Sequence, residues 1–299
     1  MKVVFSLVLS LILFNLSAQN FNQQKLNQYF DVLEKENQVM GSFAMAYQGE
    51  IIYERQVGFA SIEDSLPINA TTQFRVGSIS KTFTATLILK LAQLNKLSLN
   101  DKLSNYFPQI ENSKSISLKM LLNHSSGIYN FTNNPKFFEY LEEPKTQKEL
   151  LEIITEGGSD FKPGSDFNYS NSNYVLLTFI AEKTTGKPIN ELLEQYIFKP
   201  VQLEHTAVGG PIEVQKNQAR SYIYTAAYSP ATETNMSIPL GAGFIISTPS
   251  DLCRFFHALR TGAIIPQALA DSMIPPSESN YGLGLFPFPF KGKVALGHN

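Results

Sequence analysis

Apolar residues recur along this chain at several distinct periods, and the changes of period mark its elements. In "FNQQKLNQYFDVLEKEN" they are spaced three and four apart, which predicts an amphipathic helix. "SFAMAY" and "IIYERQVGFAS" flank "QGE" and predict two strands in a hairpin turned at Gly49, the start of an α/β arrangement. From about Ser78 to Leu97, Phe83, Leu87, Leu91 and Leu94 fall on one face of a helix, with Ser78 in or just before its first turn. The chain then reads as mainly helical to about Leu203. Loops dense in Gly, Pro, Ser and Asn break it at "NHSSGIYNFTNNP" and "GGSDFKPGSDFNYSNSN". "GAGFIISTPSDLCRFFHALRTG" predicts a short strand, a turn at Pro249 and a helix started by Ser250 or Asp251. "YGLGLFPFPFKGKVALGHN" predicts strands with a turn at Lys291 to Lys293, and no internal repeat or long linker interrupts the series.

Composition narrows the class. The 299 residues, 43% hydrophobic and 17% charged, suffice to bury a core as one large domain or two lobes. A net charge of -2 with no run of lysines or arginines argues against a nucleic-acid partner. At the N-terminus Lys2 precedes an apolar run ending at Ser17 and Ala18, which reads as a secretory signal over residues 1–18, cut after Ala18. The run is short of the roughly 20 residues a membrane span needs, and no other of that length follows, so no stable span is expected after cleavage. Cys253, the sole cysteine, excludes an internal disulfide and sits at helical spacing among apolar residues, as a buried core thiol would.

Several chemistries lack their signatures. Ser78 has Val76 and Ser80 where a G-x-S-x-G elbow needs glycines, no H-E-x-x-H occurs, and "GLGL" and "GAGF" do not extend to a phosphate loop. What remains is a serine with a lysine three residues on. Residues at that spacing share a helix face, so Lys81 can reach the Ser78 hydroxyl, and a lysine of lowered pKa can take a serine proton. Spacing alone leaves a helix cap the plainer reading, because "SDFK" at Ser159 to Lys162 repeats the pattern in a loop. In "FNYSNSNYVLL", Tyr169 can relay a proton and Asn171 can accept from a lysine and donate to a carbonyl; the plain alternative is a turn closed by asparagines. His298, in the terminal "GHN", is taken alone a surface or core histidine.

In this order, the three elements resemble the serine β-lactamase and penicillin-recognising family, in its branch of class C β-lactamase-like hydrolases that includes esterases, D-amino-acid peptidases and carboxypeptidases. "FRVGSISKTFTATLILKL", "SLKMLLNHSSGI", "FKPGSDFNYSNSNYVLLTFIAEKTTGKPINELLEQYIFKPVQLEHT", "GAGFIISTPSDL" and "YGLGL" carry the resemblance from about Phe30 to Asn299. The resemblance implies an α/β fold of α+β type, an antiparallel sheet flanked by helices plus a mainly helical lobe at roughly 85–240, in one domain over 19–299. It implies Ser78 as acylated nucleophile, Lys81 as its proton partner, Tyr169 as general base or acid, and Asn171 as a contact to substrate and lysine. His298 would replace the lysine of the third motif in substrate binding, and Ser159 and Lys162 match nothing catalytic.

The implied function is a secreted or periplasmic serine hydrolase acting on an ester, amide, D-amino peptide or β-lactam, with a small-molecule or peptide substrate and no metal or organic cofactor. A histidine, mostly neutral near pH 7, holds a substrate carboxylate less firmly than lysine, which favours esters, amides or D-amino peptides over penicillins. The alternatives are a penicillin- or peptidoglycan-binding protein with little turnover and an inactive truncated remnant. Acyl transfer also needs oxyanion donors, each commonly worth about 10²–10³ in rate. The Ser78 N–H would be one; the other comes in the family from the strand after the third motif. Here the sequence stops at Asn299, so the usual glycine, that donor, two sheet strands and a closing helix are expected to be missing, with the "KVALGHN" strand left without a neighbour on one side.

Overall fold

The computed structural model describes residues 21–277 and 281–299. The expected signal at 1–18 lies outside the described residues. By its contacts the chain divides into Met1–Val39 and Met40–Asn299. The first contains helix α1 (Gln23–Lys35), begun by Asn22, whose side chain accepts from the Lys25 N–H.

In the second, β1 (Gly41–Tyr47) and β2 (Glu50–Val57) form the predicted hairpin, turning through Gln48 and Gly49, with a bulge between Met45 and Ala46. Two short strands, β3 (Phe59–Ser61) and β4 (Leu66–Pro67), pair next. β5 (Phe74–Arg75) leads through a 3-10 turn at Gly77–Ile79 into α2 (Ser80–Gln93). The helical stretch holds α3 (Leu118–Leu122), α4 (Phe137–Tyr140), α5 (Gln147–Gly157), α6 (Asn171–Thr185) and α7 (Ile189–Leu193). β6 (Ala207–Val208), the hairpin β7 (Tyr222–Tyr224) and β8 (Tyr228–Pro230), β9 (Ile245–Ser247), α8 (Pro249–Arg260), α9 (Gln267–Ser272) and the hairpin β10 (Phe286–Phe290) and β11 (Lys293–Gly297) complete it.

The mixed α/β class and the helical middle agree with expectation. The strands, however, form five small antiparallel sheets among the described residues rather than one. The largest, β5-β9-β6, is built on β9, whose Ile246 faces both Arg75 and Ala207.

Two boundaries differ from expectation for local reasons. Pro249 does not form a turn before α8 but occupies its first position, where its missing N–H costs nothing, and Thr248 caps the helix by accepting from the Asp251 N–H. In α2 the apolar face widens to the whole circumference: every residue from Ser80 to Leu89 is buried, whereas Leu94 lies past the helix end and is exposed. Its hydroxyls therefore need internal partners. Thr82 donates to the Gly284 carbonyl, Thr84 to the Gly241 carbonyl, and Ser80 accepts from the Ile245 N–H. With the Gly241 N–H donating to Thr178 of α6, these bonds pin residues 241–245 between α2 and α6. The core beneath is continuous, with Phe83 of α2 stacked on Phe255 of α8 at 3.8 Å between centroids. Cys253 is a free, half-buried thiol rather than a core residue, and burial pushes its pKa up.

Candidate active site

Ser78 lies in the 3-10 turn, three residues beyond β5. Gly77 before it has φ +52, a left-handed backbone that glycine adopts without strain, and the chain thereby swings from strand into helix. Neither this turn nor α2 is capped by a side chain, so Ser78 is not a helix cap. Lys81, on the first turn of α2, is wholly buried.

Three groups surround Lys81 Nζ: Ser78 Oγ at 3.0 Å, Asn171 Oδ1 at 2.7 Å and the Ala242 carbonyl at 2.8 Å. The first is local, the second comes from the first residue of α6, and the third from the segment that Thr84, Ser80 and Thr178 hold in place. Asn171 is itself oriented, since its Nδ2 donates to Thr132 Oγ1 at 3.1 Å and its backbone N–H to Asn130 Oδ1 at 3.0 Å. Among the described residues no carboxylate pairs with Lys81, and desolvation holds its pKa well below the usual lysine value. All three groups accept from Nζ, so the buried amine is held 3.0 Å from Ser78 Oγ by partners on three different segments.

Tyr169, two residues before α6, donates its hydroxyl to Ser78 Oγ at 2.9 Å. Burial pushes its pKa up to about 12, so it keeps its proton near neutrality. Its ring lies beneath Lys81 Nζ, 4.8 Å from the centroid. Thus Ser78, Lys81, Tyr169 and Asn171 come together as one hydrogen-bonded group. His298 stands nearby: its ring centroid is 6.3 Å from that of Tyr169, and its Nε2 is 3.0 Å from the Tyr281 hydroxyl. Burial lowers its pKa to about 4, with the charge of Lys81 a lesser cause, so the imidazole is neutral at pH 7.

A cavity of about 300 Å³ opens over Ser78, lined by Gly77, Thr132, Asn171, Phe131, Phe137 and Met236 among others. A second, of about 600 Å³, shares Arg75, Thr234 and Met236 with it. Arg75 forms part of the partition: its guanidinium donates to the Thr234 and Gly210 carbonyls and pairs with Glu233 at 2.8 Å.

The second S-x-x-K site is elsewhere and does other work. Ser159 Oγ bonds the carbonyls of Gly127 and Phe161, at 3.1 and 2.9 Å. Among the described residues no cluster of His, Cys, Asp and Glu is arranged to hold a metal, and no helix is long and apolar enough to cross a membrane. Residue-by-residue reading missed the Ala242 carbonyl, Thr132, Tyr281 and His124. A backbone carbonyl carries no sequence signal, and "NHSSG" reads as an ordinary loop.

The chain as a whole is similar to several known proteins. The chain is 30% identical over 272 residues to a putative penicillin-binding protein, PbpX, of Bacillus subtilis (strain 168), an alignment covering 89% of this chain and 66% of that one. It is 26% identical over 250 residues to a teichoic acid D-alanine hydrolase of Staphylococcus aureus, covering 81% of this chain and 61% of the relative. It therefore spans slightly less than two thirds of the length of these curated relatives. Among solved structures, D-amino acid amidase from Ochrobactrum anthropi SV3, complexed with D-phenylalanine, superposes with a TM-score of 0.80 at 27% identity, covering 92% of this chain and 84% of the other. The family described as Beta-lactamase matches residues 26–299, and the chain belongs to that family.

Proposed function

We propose that this chain is a secreted serine hydrolase that forms an acyl-enzyme on Ser78 and acts on esters or amides of D-amino acids. The observation that carries the reading is the convergence of Lys81 Nζ and Tyr169 Oη on Ser78 Oγ, at 3.0 and 2.9 Å, in a site open to a cavity. Lys81, its pKa lowered by desolvation, takes the Ser78 proton as Oγ bonds the acyl carbon. The Ser78 backbone N–H, in the first turn of the helical stretch, is one donor to the developing oxyanion. Tyr169, protonated in the resting site, gives its proton to the leaving oxygen or nitrogen as that bond breaks, and proton transfer from Lys81 restores it. Water then attacks the ester, giving up its proton through the same pair, and Ser78 is released.

Two features support D-amino acid derivatives over penicillins. Relatives include a teichoic acid D-alanine hydrolase and a D-amino acid amidase. His298, uncharged at neutral pH, offers no cation for a penicillin carboxylate. The N-terminal signal pattern supports secretion.

The test is intact-mass analysis after reaction with an uncharged fluorophosphonate. One adduct is expected on the wild type and none on Ser78→Ala; labelling of the alanine variant would refute Ser78 as nucleophile. Turnover of a D-alanine p-nitroanilide and a chromogenic cephalosporin, measured side by side, tests the substrate class. Equal turnover of the two would refute the preference.

A further inference from the structure

Tyr169 precedes α6 in a loop, yet its hydroxyl is held 2.9 Å from Ser78 Oγ. The residue that grips it is His124, fully buried, two positions past the end of α3. The peptide N–H groups on both sides of Tyr169 donate to this one residue: Asn168 N–H to the His124 carbonyl at 3.2 Å, and Ser170 N–H to its Nδ1 at 3.2 Å. The imidazole also packs on the Tyr169 ring with centroids 4.4 Å apart. To present carbonyl and ring to the same loop, His124 adopts φ +59, a left-handed conformation that only a few per cent of non-glycine residues adopt, histidine among the more tolerant of them.

The hydrogen bonds fix the tautomer. Asn173 Nδ2 also lies 3.3 Å from Nδ1, because its Oδ1 is taken by Ser126 Oγ at 2.7 Å. With two donors directed at it, Nδ1 is the bare nitrogen and the proton sits on Nε2, which has no hydrogen-bond partner among the described residues. A second proton would turn Nδ1 from acceptor to donor against the Ser170 N–H and would add a charge beside Lys81.

We infer that His124 is a positioning residue: its imidazole holds Tyr169 in line with Ser78 by accepting the Ser170 N–H at Nδ1 and backing the phenol ring. The inference rests on the proposed acyl-enzyme on Ser78 and goes beyond it by assigning the orientation of Tyr169 to a residue that touches neither substrate nor nucleophile.

The experiment measures the second-order rate of fluorophosphonate labelling of Ser78 in wild type, His124→Asn and His124→Phe, each checked for cooperative unfolding. Asparagine keeps an acceptor near the Nδ1 position and tolerates the left-handed backbone. Phenylalanine keeps the ring and loses the acceptor. The expected result is His124→Asn within about fivefold of wild type, the size of one adjusted hydrogen bond. His124→Phe is expected to be slower by about 100-fold, the usual contribution of one placed proton donor. A folded His124→Phe within about threefold of wild type overturns the inference, as do two folded variants slowed alike. If His124→Phe does not fold, His124→Asn decides: retained labelling supports the acceptor role, and a loss of about 30-fold or more overturns it. A wild type that is never labelled fails the acyl-enzyme reading itself and takes this inference with it.

Discussion

Two serines in this chain stand three residues before a lysine, and their surroundings give them different work. Around Ser78 the lysine is buried with its pKa depressed, the tyrosine donates to the same oxygen, and a cavity opens above. Ser159 instead bonds the carbonyls of Gly127 and Phe161. Ser159→Ala is accordingly expected to destabilise the fold by about 1 kcal/mol, one part-buried hydrogen bond, with the labelling rate of Ser78 held within about threefold. Urea unfolding and labelling kinetics on the same sample check both halves.

His298 gives a second prediction at this scale, in pH. Its folded pKa of about 4 lies below the ordinary 6.5. Between those values the unfolded chain binds a proton that the folded chain does not. Stability therefore rises with pH across that window, is lost as pH falls through it, and levels off below about 4 for this group. His124, lowered chiefly by burial, acts in the same direction. Urea midpoints at pH 6.5 and 4.5 should differ less in His298→Gln than in wild type; an unchanged difference would show that His298 is not desolvated in the folded chain.

At the scale of elements, the site depends on two loops laced together by their backbones. Tyr129 N–H donates to Gly158 O, Asp160 N–H to Gly127 O, Gly164 N–H to Ser125 O and Asn168 N–H to His124 O, at 2.8 to 3.2 Å. This lacing delivers Tyr169 to Ser78 before α6 begins. Gly127 is its tightest point: φ is +79, and a Cβ there would stand 2.1 Å from the Phe161 carbonyl. Gly127→Ala combines backbone strain with a clash against main chain that no side-chain rotation relieves. A loss of at least about 2 kcal/mol is expected, with a fall in Ser78 labelling larger than that of Ser159→Ala. A variant as stable as wild type would contradict the described loop geometry.

Across the whole molecule, the reactive group hangs on a helix buried on every side. Phe83 anchors α2 by stacking on Phe255 of α8 and meeting the edge of Phe198 at 6.0 Å. Phe83→Ala leaves a cavity that rigid neighbours cannot fill and should cost about 3–5 kcal/mol, read by urea unfolding. The same variant should slow Ser78 labelling, since Lys81 lies two residues from the cavity on the same helix. Normal labelling at reduced stability would show that the site tolerates displacement of α2.

The sequence alone determined the periodic elements, because helix and strand periods are local properties: α1, the β1-β2 hairpin, the helical middle and the β10-β11 hairpin are all legible in it. Motif order, taken as a resemblance, singled out Ser78, Lys81, Tyr169, Asn171 and His298, although no spacing distinguished Ser78 from Ser159. Tertiary structure alone decided the rest. That the pKa of Lys81 is depressed follows from its burial, and that its amine is held in place follows in part from the carbonyl of Ala242, 161 positions away; that α2 is buried all round follows from what packs on it. The grouping of strands into small sheets depends on pairing between distant segments, and the hold of His124 on Tyr169 on a left-handed backbone between two loops. Each is set by contacts between residues far apart in the chain, and local pattern carries no information about which distant atoms will meet.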